Sequence, residues 1–404
     1  MCRYDILFLD YSISGTRCQA VPGSIRVKEK YMSSFDKIRG KLGFGAMRLP
    51  LIDQEIDAKT ISAMVDAYMA AGFNYFDTAR GYMEEKSEAA LKACLTSRYP
   101  RESYVLADKL SPMYFSKEED IRPFFESQLE ACGVEYFDFY LMHAQDRKKF
   151  RKYKECRAYE TAIALKEEGR IRHFGISFHD TAEVLEEILT EYPEIEVVQI
   201  QFNYMDYEDI SVDSKRVYET CRRFGKPVIA MEPVKGGCLA RLPEEAKAIY
   251  DAVGTGSYAS YAIRFAAGFE GIVTVLSGMS DVEMVTDNVG YMKAFQPLTA
   301  AETEAVKQVT AILRGTDFIP CTGCRYCVDG CPADIPIPEV LASLNTKRIF
   351  QNWNAGYYYS LHTHGHGKAS ACIGCGACEG ACPQHLPIRS YLESAVKEFE
   401  KEKD

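Results

Sequence analysis

No apolar run in this sequence reaches the ~18–20 residues that a membrane-crossing helix needs, so membrane insertion is not expected. Positive charge is not in excess either. The 48 Lys and Arg residues stand against 58 Asp and Glu, a net charge of -10, which argues against non-specific binding to nucleic acid or anionic lipid. A secretory leader is missing from the N-terminal MCRYDILFLD, where Asp5 and Asp10 interrupt the apolar residues. No G-x-G-x-x-G follows the first strand pattern, which weakens a doubly wound dinucleotide-binding sheet. A specific flavin motif is absent as well, but barrels bind flavin without one, so that absence carries little weight.

Cysteine, by contrast, is plentiful. Eight of the 15 cysteines form two copies of one pattern, Cys321-x2-Cys324-x2-Cys327-x3-Cys331-Pro332 and Cys372-x2-Cys375-x2-Cys378-x3-Cys382-Pro383. This is the bacterial ferredoxin run, in which three thiolates wrap one [4Fe-4S] cubane and the fourth reaches the other cluster. The expected sets are therefore Cys321, Cys324, Cys327 and Cys382 for one cluster, and Cys372, Cys375, Cys378 and Cys331 for the second. Zinc is the rival, since paired C-x2-C units also make zinc sites; two complete runs with trailing prolines favour iron. Without a secretory signal such cysteines read as ligands, not disulfides, in a reducing cytoplasm. The runs are separated by about forty residues with helical stretches and aromatics, resembling the helical ferredoxin type. Within that spacer, His362, His364 and His366 read as a polar loop before a metal tract, and Tyr357, Tyr358 and Tyr359 as packing residues. Cys94, Cys132 and Cys221 lie on helical patterns and read as buried small hydrophobes.

A chain of 404 residues with 47% hydrophobic composition has room for one large α/β domain and a small appendage. From Lys41 onward, short β-type runs alternate with amphipathic helices. The strands are expected over 42–47, 74–78, 104–109, 137–143, 172–177, 197–202, 227–231 and 272–276. Helices are expected between them, including 57–71 closed by Gly72, one opened by Ser116 and Glu119 and closed by Gly133, 153–166, one opened by Asp180 and Glu183, 212–224, 258–267 and 281–295. Eight strand–helix units in roughly 250 residues are the size of a (β/α)8 TIM barrel. The fold class is thus α/β, a barrel over residues 32–297 followed by a small, mostly helical dicluster ferredoxin domain over 298–404. Residues 1–31 are expected to be an N-terminal extension from a mis-called start, with Met32 as the natural beginning; a poorly ordered arm is the alternative.

In such barrels function gathers at the C-terminal ends of the strands. Asp77 ends the second strand with Tyr82 five residues on, Lys109 ends the third and His143 the fourth. Each alone is more often half of a structural ion pair or a satisfied core residue. Together they form an acid–base set. An ammonium beside a phenol lowers its pKa, a carboxylate holds the ammonium, and an imidazole orients a carbonyl oxygen that the phenol protonates.

The segments LGFGAMRLP, YFDTARGY with SEAAL, ADK, DFYLMHAQD, GISF, VVQIQFNY, MEPVKGG and VLSGMS resemble the aldo/keto reductase family over about residues 41–290. The resemblance implies NAD(P)H-linked reduction of a small carbonyl, or the reverse alcohol oxidation. It assigns Tyr82 as general acid, Lys109 as its tuner, Asp77 as the lysine's partner and His143 as the orienter. Ser177 and Gln199 match positions that hold the nicotinamide carboxamide. Met231 stands where many members stack an aromatic ring, and Lys235 beside Gly236 and Gly237 reads equally as a pyrophosphate contact or as a solvated loop lysine. Aligned on Asp287 and Asn288, the cations that clamp the 2′-phosphate of NADP are replaced by Gly278 and Met284, which favours NADH over NADPH. Hydride carriers move two electrons and cubanes one. The alternatives therefore stay open: a barrel using flavin or cluster-delivered electrons, or an electron-transfer module serving a redox partner protein.

Overall fold

The computed structural model describes residues 35–208, 212–315, 318–350 and 355–400, so the extension expected over 1–31 lies outside the described residues. Eight parallel strands close into a barrel in chain order: β1 (Leu42–Gly45), β2 (Tyr75–Asp77), β3 (Val105–Leu110), β4 (Phe137–Gln145), β5 (Ile171–Phe178), β6 (Val197–Gln201), β7 (Val228–Met231) and β8 (Ile272–Ser277). Closure comes from β1 pairing with both β2 and β8. The strands are almost wholly buried, as continuous apolar runs covered on both faces must be. Tyr75, Val105, Phe139, Leu141, Val197, Ile229 and Leu276 fill the interior. Phe35 stacks on Phe139 and His173 and plugs one end.

The helices follow the expected rhythm with local departures. Asp57 caps Ala58–Ala70 by accepting from the Thr60 amide at 3.1 Å. Glu118–Cys132 ends at Gly133, whose φ of 66° needs a residue without a Cβ. Its start is capped by Asp120, not Glu119: Asp120 Oδ2 accepts from the Ser116 amide at 2.8 Å and the Lys117 amide at 3.2 Å. The single helix expected over 153–166 is two, Arg147–Glu155 and Ala158–Glu167, broken where Arg157 turns left-handed at φ 50°. Ala182–Glu191 takes its cap from elsewhere: the Ala182 amide donates to Asp213 at 3.0 Å, while Asp180 accepts from Arg147 and Thr181. Cys94, Cys132 and Cys221 are buried in the barrel's outer core.

Ala300–Gly315 packs Val306, Val309 and Leu313 against Tyr204, Leu239, Tyr250 and Tyr261 of the barrel, so this helix lies on the barrel despite the boundary expected at 297. A separate core follows, built from Ile319, Ile335, Ile337, Val340, Leu341, Leu386, Ile388 and Leu392. Its main helices are Ile337–Phe350 and Ile388–Phe399. Tyr359 is buried there and stacks on Phe399 at 4.8 Å; the side chains of Tyr357 and Tyr358 lie outside the described residues. His366 pairs with Asp334 at 2.9 Å. Among the described residues, no helix is long and apolar enough to cross a membrane.

Candidate active site

Strand register gathers the acid–base residues. Asp77, Lys109 and His143 lie at or near the C-terminal ends of β2, β3 and β4. Lys109, wholly buried, donates to Asp77 Oδ1 at 2.6 Å and to the Thr78 carbonyl at 2.7 Å. Its ammonium lies 4.9 Å from the centre of the Tyr82 ring, over the face. Tyr82 meets His143 edge-on at 5.9 Å between centroids.

His143 owes its orientation to an irregularity. The β4–β5 register shifts between Met142 and Gln145, and Ala144 adopts φ 54°. Such a bulge re-aims the neighbouring side chain. Ser177 Oγ accepts from the Ala144 amide at 2.7 Å and holds the bulge. Ser111 Oγ meets His143 Nδ1 at 2.6 Å.

The electrostatics differ from expectation at one point. Burial, with Asp77 and Glu232 nearby, pushes the Tyr82 phenol well above its usual value, while Arg48 opposes. The lysine sits over the ring and spends its donors on Asp77 and Thr78, so desolvation outweighs any softening and Tyr82 stays protonated. Burial, then Lys109, holds the His143 imidazole well below its ordinary value and keeps it neutral. Burial raises Asp77 as well, with Lys109 in opposition.

A small cavity opens above this group, with about 70 Å³ of space open to water. Its wall includes Asp77, Tyr82, Gln199, Met231 and Gly278 from among the residues singled out in the sequence. Ser177 and Asn288 are not in it. Ser177 serves the bulge, and Asn288 donates to Ser277 at 2.7 Å and accepts from Tyr291. Gln199 Oε1 is buried without a hydrogen-bond partner among the described residues, while its Nε2 reaches Met231 Sδ at 3.4 Å.

Sequence reasoning missed the rest of the wall. Arg48, His179, Gln201 and Glu232 come from the barrel, while Thr322, Cys324, Tyr326 and Pro383 come from the cysteine domain, which is docked over the barrel mouth. Arg48, in GAMR after β1, donates to the Thr322 carbonyl and lies 3.6 Å from Glu232. Gln201 and Gln384 form a reciprocal amide pair across the junction. Lys235, expected near a pyrophosphate, is 1% exposed and binds Asp206 at 2.5 Å and Gln384 at 3.1 Å. A Cβ on Gly236, at φ 65°, would run into the Thr322 carbonyl. The loop is thus already occupied by protein partners.

The eight motif cysteines ring two hollows. Cys321, Cys324, Cys327 and Cys382 line one, with Leu341, Leu386 and Ile388. Cys331, Cys372, Cys375 and Cys378 line the other, with Ile335, Ile337 and Leu392. Among the described residues no three His, Cys, Asp or Glu side chains converge to hold a single metal ion. Burial pushes the Cys321 thiol up to about 12 and the Cys324 thiol up to about 11, so thiolate must be drawn out by a bound cation.

Comparison with known proteins agrees with both halves. A family model described as Aldo/keto reductase family matches residues 41–311, and one described as 4Fe-4S dicluster domain matches 320–386. An uncharacterized oxidoreductase of Schizosaccharomyces pombe is 27% identical over 217 residues, 51% of this chain and 66% of that protein. The NADH-specific methylglyoxal reductase of Escherichia coli is 24% identical over 237 residues, 53% of this chain and 69% of its own length. The chain therefore spans about two thirds of the length of these relatives. An aldo-keto reductase from Klebsiella pneumoniae, solved in complex with NADPH, is 17% identical and shares the fold at a TM-score of 0.54, covering 67% of this chain and 90% of that one.

Proposed function

Because the chain belongs to the aldo/keto reductase family and carries a 4Fe-4S dicluster domain behind its barrel, we propose that it interconverts a small carbonyl compound and its alcohol at the barrel mouth, with Tyr82 as the proton donor. The observation that carries this reading is the convergence of Tyr82, Lys109, Asp77 and His143 beneath one cavity. In reduction, negative charge grows on the carbonyl oxygen. Tyr82, kept protonated by burial, surrenders its proton there. The ammonium of Lys109 then faces a phenolate in a dry site, where attraction is strong. Asp77 fixes the ammonium's position. The docked cysteine domain adds Thr322, Cys324, Tyr326 and Pro383 to the cavity wall, which would limit the access of water.

Two [4Fe-4S] clusters would be held by the two cysteine sets, and bound there they supply one-electron transfer. The apolar, thiol-lined hollows support that fit over a single zinc ion. A redox partner protein would reach the second cluster, where Cys375 is exposed and Ile373 is 71% exposed.

Nicotinamide, if bound, would supply hydride in the family's manner. Gln199 Oε1 supports its carboxamide end, and the lack of cations at Gly278 and Met284 supports NADH over NADPH. The E. coli relative is named as NADH-specific, while the Klebsiella structure holds NADPH. The diphosphate arm does not fit the docked arrangement, because Thr322 would have to lift from Gly236 and Lys235 is already paired. That observation favours a second reading, in which electrons reach the cavity from the first cluster, Cys324 being in its wall.

Anaerobically purified holoprotein tests the proposal with methylglyoxal as probe. Alcohol formation with NADH, lost in Tyr82→Phe, is the expected result; full turnover by Tyr82→Phe overturns the assignment. Turnover with dithionite-reduced protein and no NADH selects the second reading.

A further inference from the structure

Tyr326 is a spacer residue between Cys324 and Cys327, yet its hydroxyl lies 3.1 Å from His143 Nε2, a residue 183 positions away. The two rings meet edge-on, 6.1 Å apart at 77°. His143 is therefore held at both nitrogens, by Ser111 on one side and Tyr326 on the other. The imidazole is neutral, so it carries one ring hydrogen. We assign the tautomer in which the Ser111 hydroxyl donates to Nδ1, which places that hydrogen on Nε2, given to the Tyr326 oxygen. The Tyr326 proton is then free to point elsewhere. The cavity wall supplies the direction: Tyr82 and Tyr326 both line it, and His143 does not.

We propose that Tyr326 is the second hydroxyl that grips the substrate's carbonyl oxygen beside Tyr82, and that His143 acts through it as a positioning residue. The inference rests on the carbonyl–alcohol reading given above. It moves the orienting contact from the barrel to the cysteine domain. No proton leaves Tyr326. Its hydrogen bond strengthens as charge grows on the oxygen, which is the condition for a contact to raise kcat rather than only lower KM. It also makes the barrel's site incomplete on its own, because the loop between Cys324 and Cys327 delivers one of its two hydroxyls.

The test is a double-mutant cycle on the holoprotein, with Tyr326→Phe and His143→Gln made singly and together. Iron content and electron paramagnetic resonance verify that both clusters are retained. Turnover of methylglyoxal is measured alongside calorimetric binding of hydroxyacetone, the alcohol formed from its aldehyde. A lost hydrogen bond to a charged oxygen corresponds to about a 10- to 100-fold fall in kcat/KM for Tyr326→Phe. Hydroxyacetone affinity should fall about threefold or more, because a neutral hydrogen bond is weaker. In the Tyr326→Phe background, His143→Gln should add less than about twofold, since both act through one contact. Independent, multiplying effects, or a Tyr326→Phe protein within about twofold of wild type in turnover and binding, would overturn the proposal. Should Tyr326→Phe lose a cluster, Ser111→Ala probes the same hydrogen-bond chain away from the cysteines. It is expected to lower kcat and leave the cluster signals unchanged, and unchanged kcat counts against the proposal. Tyr82→Phe separates the two claims. If it stays active, the parent reading fails; if it is dead while Tyr326→Phe is normal, only this inference fails.

Discussion

Lys109→Met removes the one cation that Asp77 touches among the described residues and leaves a carboxylate that is 2% exposed. Its Oδ2 already lacks a hydrogen-bond partner among the described residues, and Oδ1 would lose its bond at 2.6 Å. Breaking a buried pair from one side costs about 3–5 kcal/mol. At ~2–4 °C per kcal/mol for a domain of this size class, the melting temperature should fall by about 6–20 °C. The pH dependence identifies the cause. Asp77 is already raised by burial and rises further without its cation. A carboxyl with a raised folded-state pKa binds more protons folded than unfolded, so the penalty grows as pH rises and is relieved as pH falls through the folded value. The deficit relative to wild type should therefore be smaller at pH 5 than at pH 8, changing by up to about 1.4 kcal/mol per unit. Adding Asp77→Asn to Lys109→Met should recover more than half the loss. Thermal melts by circular dichroism under argon measure all three proteins. A single variant melting within about 2 °C of wild type, a deficit equal at both pH values, or a double variant no better than the single would refute the reasoning.

Three further outcomes are expected. Because burial raises the Tyr82 pKa well above 10, kcat/KM for carbonyl reduction should show no Tyr82 ionisation from pH 6 to 9 and fall only above 10; a basic limb near pH 8 in steady-state profiles would restore the softened phenol. Cys382→Ser and Cys324→Ser should abolish the same paramagnetic signal, and Cys331→Ser and Cys375→Ser the other, each with loss of about four irons; signals that instead sort by sequence run would contradict the crosswise sets. Gly236→Ala drives a methyl into the Thr322 carbonyl, so hydrogen exchange around Thr322 to Tyr326 should accelerate while the barrel strands keep their protection; unchanged exchange would show the contact is easily relieved.

The barrel was legible because its strands are buried on both faces and write themselves as apolar runs, with Asp77, Lys109 and His143 as polar endings. The cysteine sets were legible because spacing alone dictates which thiols can meet. Other features depended on contacts distant in sequence. Nothing local marks Arg157 as left-handed or Asp213 as the cap of Ala182–Glu191. Ser177 matched a cofactor position yet spends its hydroxyl on the Ala144 amide, a partner visible only once the bulge exists. Lys235 had the look of a loop cation until Asp206 and Gln384 closed on it. Tyr326 was hidden most thoroughly, since inside a cysteine run every intervening residue reads as spacing. For Tyr82, counting neighbours suggested a softened phenol, whereas the depth of the site reversed the sign.

The exchange of fourth cysteines between the two hollows has a consequence for assembly. Cys331 leaves the first run to close the second hollow, and Cys382 makes the return trip. The chain is in effect laced like a boot, each eyelet pulling on the opposite flap. Neither run can close its own hollow without a thiol from the other, so each cluster fastens both runs together, and damage at Cys331 or Cys382 should open that one lacing while the other stays tied.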